Sequence, residues 1–323
     1  MTEGVIDRAL AGDGRALARL VSLAENGGPG LRAVMKALAP LTGRARVIGL
    51  TGAPGVGKST VTAALVGAYR AREVKVGVLA VDPTSPFSGG ALLGDRVRMQ
   101  DHATDPGVFI RSMASRGHLG GLAAATPQAL RVLDAAGFGA ILVETVGVGQ
   151  AEVEIASLAD TTLVLVAPGM GDAVQAAKAG ILETGDVFVV NKSDHPGAQE
   201  TVRDLRTMIA MASRGPADWK PPIVSTTATA GEGVADLVGA LDAHWSWLEE
   251  SGERDRRRRA RAREEVAAIA LAELRQRMGG LPGDSRIDSL AARVAAGELD
   301  PYSAADELVA AASAEPARRR RGR

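Results

Sequence analysis

The feature that most constrains the fold of this chain is a glycine-rich segment between a predicted strand and a predicted helix. Residues 52–59 read Gly-Ala-Pro-Gly-Val-Gly-Lys-Ser and fit the pattern G-x-x-x-x-G-K-[ST]. In that pattern the glycines let backbone N–H groups curl around phosphates, and the helix that follows adds the positive end of its dipole. We therefore predict a phosphate-binding loop in an α/β fold.

Short β-branched runs alternate with helical segments after this point, which is typical of βαβ units. The pattern predicts the α/β class, a P-loop NTPase with a doubly wound, mostly parallel sheet flanked by helices. The predicted strands are Ala45–Leu50, Val74–Val81, Val108–Met113, Ala140–Glu144, Thr161–Ala167, Val187–Asn191 and Pro222–Ser225. The predicted helices between them are Ser59–Arg72, Thr126–Ala136, Asp172–Leu182, Ala198–Ala212 and Val234–Trp247.

Composition changes along the chain predict three parts. Residues 1–43 have apolar side chains at helical spacing, and we expect a helical N-terminal extension. Residues 44–250 form the predicted P-loop domain. Residues 251–323 begin with a charged stretch and end in a basic tail, and we expect a helical C-terminal extension.

Composition excludes several classes of function. The 323 residues contain no cysteine, which excludes disulfides, thiolate metal sites and a cysteine nucleophile. Lysine plus arginine equals aspartate plus glutamate at 38 each, so no net charge favours nucleic acid or a membrane surface. The first residues lack the layout of a signal peptide, and the apolar runs are too short to span a bilayer. We expect a cytoplasmic protein.

Acidic residues at strand ends are the candidate magnesium ligands. Asp82 ends the second predicted strand, Asp95 follows in the next loop, and Glu144 ends another strand, three residues before Gly147. Ligands of an open α/β sheet bind at the carboxyl edge, where these strand ends meet. The alternative for Asp82 is a turn or helix cap. We predict Ser59, Asp82, Asp95 and Glu144 as metal ligands, and Lys58, Asp82 and Glu144 as the catalytic set.

The segment Asn191-Lys192-Ser193-Asp194 predicts the base that is read. N-K-x-D after a P-loop is a guanine signature, since a carboxylate can accept from N1–H and the N2 amino group of guanine, which adenine does not offer. We predict GTP or GDP, with Mg²⁺, as the ligands. The predicted nucleotide-binding residues are Gly52, Ala53, Pro54, Gly55, Val56, Gly57, Lys58, Ser59, Thr60, Gly147, Asn191, Lys192, Asp194, Thr227, Ala228 and Thr229.

These segments together resemble the methylmalonyl-CoA mutase-associated GTPases, the MeaB/ArgK family of G3E P-loop GTPases. Besides the phosphate loop, the resemblance lies in residues 81–99 (VDPTSPFSGGALLGDRVRM), 111–121 (RSMASRGHLGG), 144–150 (ETVGVGQ) and 168–172 (PGMGD). It covers most of residues 1–250. Residues 227–229, which follow the last predicted strand, are predicted to contact the edge of the base. They read Thr-Ala-Thr, whereas the form S-A-x is common there in GTPases.

The resemblance implies a partner as well as an activity. It implies a GTPase that gates delivery of adenosylcobalamin to methylmalonyl-CoA mutase and protects that enzyme, and a homodimer held largely through the C-terminal extension. It also implies that residues 168–178 form a switch segment, with Asp172 and Lys178 in signalling roles.

The residue after Gly147 predicts slow turnover. It is Val148, which cannot orient an attacking water as a glutamine there could. Four arginines lie in candidate switch loops: Arg96, Arg98, Arg111 and Arg116. The sequence does not assign any of them as an arginine finger, the residue that stabilises charge in the transition state. We therefore expect slow intrinsic hydrolysis that a partner protein accelerates.

Three alternatives compete with this interpretation. A metallochaperone GTPase would keep the fold, but its usual cysteine or histidine metal motifs are missing, and the four histidines (His102, His118, His195 and His244) are scattered. A kinase acting on a small molecule or a protein is the second. Nucleic-acid binding through the arginine runs at 256–259 and 318–321 is the third, although a solvated helix face and a disordered tail explain those runs as well.

Overall fold

Seven parallel strands form one sheet in the first of two compact units, Met1–Arg258, and the second unit is Arg259–Arg323. The structure, a computed structural model, describes residues 2–28, 30–83, 102, 104–115, 125–145, 151–169, 184–211, 215, 218–277 and 285–314. The strands are β1 (Arg46–Thr51), β2 (Val76–Pro83), β3 (Val108–Ser115), β4 (Ala140–Thr145), β5 (Thr161–Val166), β6 (Val187–Asn191) and β7 (Ile223–Thr226).

The strand order is β3-β2-β4-β1-β5-β6-β7, and every paired neighbour runs parallel. This confirms the predicted doubly wound P-loop architecture. All seven strands were predicted, with ends that differ by at most two residues, because short buried runs rich in Val and Ile mark fully covered parallel strands.

Helices lie before, between and after the strands. In the first unit they are α1 (Thr2–Leu10), α2 (Gly14–Asn26), α3 (Leu31–Leu38), α4 (Lys58–Arg70), α5 (Thr126–Ala135), α6 (Ala151–Leu158), α7 (Ala198–Met211), α8 (Val234–Glu250) and the start of α9 (Glu253–Arg277). The sequence did not predict α6, because its eight residues carry too little periodicity to stand out. The helix predicted at 172–182 lies outside the described residues.

Alternate residues of the strands point to opposite faces and build hydrophobic clusters on both of them. Val78 and Leu142 lie in one core with Leu65 of α4 and Leu241 of α8. Their neighbours in sequence take part in the core on the other face, where the N-terminal helices pack, and that core includes Leu17, Leu20, Leu79, Met113, Leu133 and Ile141. The helices of residues 1–43 therefore cover one face of the sheet.

The first turns of α9 are tied to the amino edge of the sheet by ion pairs. Arg257 binds Asp186 through two 3.0 Å contacts, and Arg258 binds Asp160 at 2.9 Å. Both carboxylates are buried, while Arg256 remains 74% exposed beside Glu253. The arginine run at 256–259 is thus not simply a solvated helix face, since two of its members reach strand starts that lie far away in sequence.

The second unit continues α9 and adds α10 (Ser285–Ala295) and α11 (Pro301–Ala314). Arg293 of α10 pairs with Glu307 of α11 at 2.8 Å. Along α9, the side chains of Val266, Ile269, Leu271 and Leu274 are each about half exposed or more. The basic run at 318–321 lies outside the described residues. Over the described part of the chain, no helix has both the length and the apolarity needed to cross a membrane.

Candidate nucleotide site

The glycine-rich loop follows β1 at the carboxyl edge of the sheet, and its backbone requires glycine. Gly52 has φ 142° and Gly57 has φ 94°, both in the region that residues with a side chain avoid. A Cβ at Gly52 would lie 2.2 Å from the carbonyl oxygen of Leu165, and one at Gly57 would lie 2.4 Å from Nδ2 of Asn191. The loop is therefore held tightly against β5 and against the loop after β6.

Lys58 opens α4 and folds back over the loop. Its side chain is 7% exposed, and Nζ donates to the carbonyl oxygens of Gly52 at 2.7 Å and Ala53 at 3.1 Å. Pro54 and Gly55 form the exposed tip of the loop. The ammonium group and the helix N-terminus thus face the same concave backbone, which is the arrangement that binds phosphate.

Ser59 and Glu144 are brought together although 85 positions separate them in sequence. Glu144 lies near the end of β4, opposite Leu50 of β1 and Ala80 of β2. The Ser59 hydroxyl donates to Oε1 of Glu144 at 2.7 Å, and both residues are buried. This carboxylate is therefore placed directly behind the phosphate loop.

The other predicted metal ligands are less fully described. The backbone of Asp82 lies at the carboxyl end of β2, the same edge at which the phosphate loop lies. The side chain of Asp82 lies outside what the structure describes, as do Asp95, Gly147, Val148, Asp172 and Lys178.

Asn191 joins the base loop to the phosphate loop. It ends β6 and is buried, and Nδ2 donates to the carbonyl oxygen of Val56 at 2.8 Å. Its Oδ1 accepts from the Thr226 hydroxyl at 3.1 Å and from the Ala228 amide at 3.3 Å. One amide side chain therefore connects three loops, the ones after β1, β6 and β7.

Lys192 and Asp194 extend from that junction. Lys192 has φ 58°, a left-handed backbone, and its Nζ donates to the Gly55 carbonyl at 2.8 Å. The Asp194 carboxylate is 54% exposed, with Nε2 of His195 at 3.8 Å from Oδ2. An accessible carboxylate on a fixed loop can accept hydrogen bonds from a base edge.

The predicted base-edge residues 227–229 follow β7 on the same side. Thr227 is buried, and its hydroxyl lies 3.1 Å from that of Ser193, so it braces the base loop. Ala228 contributes its amide to Asn191 at 3.3 Å, and Thr229 is exposed. Of the three, Thr229 has the most exposed side chain.

Two polar residues of the site were not among the predictions. Thr62, one turn after Ser59, donates to Oε2 of Glu144 at 3.1 Å, and Thr226 donates to Asn191. A hydroxyl three residues after the P-loop serine is a weak sequence signal, because threonine in a helix often bonds only to the carbonyl four residues back.

The described histidines do not form a metal site. His244 is fully buried at the amino edge, where Nδ1 lies 2.8 Å from the Thr161 hydroxyl, and His195 is exposed near Asp194. Within the described ranges, no three residues of the types His, Cys, Asp or Glu are grouped so that they could hold a metal ion.

The sheet, the P-loop and the guanine-type loop joined to it by Asn191 define the class, that of the P-loop GTPases. Residues 17–281 match the family described as methylmalonyl Co-A mutase-associated GTPase MeaB, and the chain belongs to this family. It therefore hydrolyses GTP.

Relatives agree with this assignment. The chain is 48% identical to a candidate GTPase of Pyrococcus horikoshii, over 94% of this chain and 95% of the relative. It is 35% identical to the mitochondrial methylmalonic aciduria type A homolog of Caenorhabditis elegans, over 65% of this chain and 54% of that protein. A crystal structure of an LAO/AO transport system kinase superposes with a TM-score of 0.70 at 25% identity, covering 95% of this chain and 96% of that one.

Proposed function

We propose that this GTPase is a chaperone that gates adenosylcobalamin delivery to methylmalonyl-CoA mutase and protects that enzyme. The observation that carries the proposal is the match to the mutase-associated family along residues 17–281. The Caenorhabditis elegans relative, named for methylmalonic aciduria, supports the same client. The nucleotide site described above would supply the switch.

The residues at the carboxyl edge fit a magnesium ion. The Ser59 hydroxyl oxygen and Oε1 of Glu144 are buried and lie 2.7 Å apart. Mg²⁺ prefers oxygen ligands of this kind. Ser59, Asp82, Asp95 and Glu144 would hold the ion directly or through water. A bound Mg²⁺ offsets charge on the β- and γ-phosphates.

The chain's own residues would divide the remaining work. Lys58 and the backbone amides of the loop bind and orient the phosphates, while Asn191 and Asp194 hold and select the base. Glu144 accepts a hydrogen bond from the Ser59 hydroxyl, which fixes the direction of the hydroxyl oxygen. In sequence, Val148 occupies the position after Gly147 at which a glutamine could orient water, and so we infer slow hydrolysis by the isolated protein.

The test is GTP turnover measured with and without the cognate mutase. We expect slow release of phosphate from the isolated GTPase, and an increase of at least about tenfold when the mutase is added. Lys58→Ala serves as the background control, because it removes the phosphate-loop cation. Fast turnover by the isolated protein, or no response to the mutase, would count against partner control.

The client is tested by a binding experiment. Tagged GTPase, loaded with GDP or with a non-hydrolysable GTP analogue, is mixed with purified methylmalonyl-CoA mutase or with a related cobalamin-dependent mutase. We expect selective, nucleotide-dependent retention of the methylmalonyl enzyme. Retention of only the related mutase would keep the chaperone role and change the client.

We also infer a homodimer formed through the C-terminal extension, residues 251–323. The support is the set of apolar side chains on α9 that are about half exposed or more: Val266, Ile269, Leu271 and Leu274. Contact with a second copy of the chain would remove these side chains from water. Replacing Ile269 and Leu274 by Asp in the full chain should shift the mass measured by light scattering to that of a monomer. The same replacement at exposed Ala residues of α9 is the control.

A kinase remains the second candidate, because the superposed LAO/AO transport system kinase carries that name. The two activities differ in where the γ-phosphate goes. With GTP that carries a label in its γ-phosphate, we expect the label in free phosphate, the product of hydrolysis. Label on an added acceptor protein or small molecule would favour the kinase.

A further inference from the structure

We propose that Thr62 is a positioning residue that fixes the Glu144 carboxylate for the magnesium site. Thr62 lies on α4, fully buried, three residues after Ser59. Residues three apart lie on the same face of a helix. The two hydroxyls therefore approach Glu144 side by side, Ser59 at 2.7 Å from Oε1 and Thr62 at 3.1 Å from Oε2.

Two donors on different oxygens hold a carboxylate more completely than one. The terminal torsion of Glu is broad, and each added donor therefore narrows the rotation of the carboxylate about the bond to Cγ. The second bond, to Oε2, fixes the plane of the group. Glu144 is 3% exposed, and so solvent cannot supply this second donor freely.

The Thr62 hydroxyl has a second acceptor within reach, the carbonyl oxygen of Lys58 at 3.0 Å. A hydroxyl carries one proton, and therefore Thr62 can donate fully to the carbonyl or to the carboxylate, but not to both. A carboxylate is a stronger acceptor than a backbone carbonyl, so we assign the Thr62 proton to Glu144, with the Lys58 carbonyl as the competing acceptor.

A merely structural role is the alternative, in which Thr62 bonds to its own helix and fills space. Valine has nearly the same shape without the hydroxyl, and serine keeps the hydroxyl with less bulk. If packing alone matters, Thr62→Val should behave like the natural protein and Thr62→Ser should be the poorer variant. If donation to Glu144 matters, the order is reversed.

This inference rests on the proposed magnesium-dependent GTPase, and its test uses nucleotide release, not turnover. Dissociation of fluorescent GDP from the full-length protein is followed by stopped flow, in Mg²⁺ and in EDTA. The ratio of the two rates measures how much Mg²⁺ slows release. Thermal melting verifies that each variant folds, and Thr62→Ala replaces Thr62→Val if that variant does not.

We expect Thr62→Val to reduce the Mg²⁺ effect about tenfold, the size of one hydrogen bond to a charged group. Release in EDTA should change less than about twofold, and Thr62→Ser should restore most of the Mg²⁺ effect. An unchanged Mg²⁺ effect in Thr62→Val, or equal losses in both variants, overturns the role of Thr62. Failure of the natural protein to bind GDP would instead overturn the proposed nucleotide site itself, and this inference with it.

Discussion

The side-chain nitrogen of Asn191 lies 2.8 Å from the carbonyl oxygen of Val56, and this contact joins the loop of the base to the loop of the phosphates. The amide oxygen of the same residue accepts from Thr226 and Ala228. A change at Asn191 should therefore affect both halves of the nucleotide at once.

Asn191→Ala is expected to weaken GDP binding by about tenfold to a hundredfold and to cost about 2 kcal/mol of unfolding free energy, because buried donors and acceptors lose their partner. Calorimetric titration and urea unfolding measure the two effects. Thr207→Ala is the control, since its exposed hydroxyl bonds to the Arg203 carbonyl within its own helix, α7. GDP affinity equal to that of the control would contradict the joining role.

Asp194→Asn should change the base that is preferred. An amide in place of the carboxylate loses an acceptor for the guanine edge and gains a donor that xanthine can use. We expect GTP affinity to fall about a hundredfold relative to xanthosine triphosphate, as two charged hydrogen bonds are lost. Competition binding measures the ratio, and His195→Gln at the exposed neighbour is the control. Unchanged GTP selectivity would remove Asp194 as the base reader.

Gly57→Ala should disrupt the site, whereas Gly239→Ala should not. A Cβ at Gly57 would lie 2.4 Å from Nδ2 of Asn191 at φ 94°. Gly239 lies within α8 with nothing within 4 Å of an added Cβ. We expect Gly57→Ala to lose GDP binding, and Gly239→Ala to gain roughly 0.5–1 kcal/mol of stability from helix propensity. Normal GDP binding by Gly57→Ala would show that the loop can relax.

Arg257→Met should destabilise the first unit far more than Arg256→Met. Arg257 makes two bonds to buried Asp186, and its loss leaves that carboxylate with fewer partners. His244 still contacts Asp186 at 3.3 Å in this variant and limits the cost. We therefore expect the unfolding free energy to fall by about 2–3 kcal/mol. Arg256 is 74% exposed, and less than about 0.5 kcal/mol is expected there. Denaturant unfolding measures the free energy of unfolding of the two variants. An equal decrease in both would contradict the role of the buried pair.

The same pair predicts a dependence on pH. Burial alone would raise the pKa of Asp186, but His244 and Arg257 outweigh it and hold the pKa below its usual value. A lowered pKa means that the carboxylate stabilises the fold above the unfolded pKa, near 4, and that this is lost as pH falls through the folded value. In Arg257→Met the loss should begin at a higher pH, which unfolding curves between about pH 3 and pH 7 would show.

Much of the fold followed from local patterns. The hydrophobic pattern of a buried strand or an amphipathic helix can be recognised within about six to fifteen residues. The alternation of strands with helices then predicts that the strands run parallel. The short helix α6 was missed for the same reason, because its pattern is too brief. The roles of Arg257 and Arg258 were missed because their partners lie 71 and 98 positions away.

The phosphate loop and the guanine-type loop were determined by the sequence alone, since each needs particular residues at fixed spacing: glycines for positive φ, a lysine for phosphate, and a carboxylate for the base. Tertiary structure decided which side chains complete them. That Thr226 and Ala228 bind Asn191, that Thr62 shares Glu144 with Ser59, and that the first turns of α9 are tied to the amino edge all depend on strands far apart in the chain lying side by side. Hydrogen bonds act over about 3 Å, and only the folded sheet sets distances at that scale between distant residues.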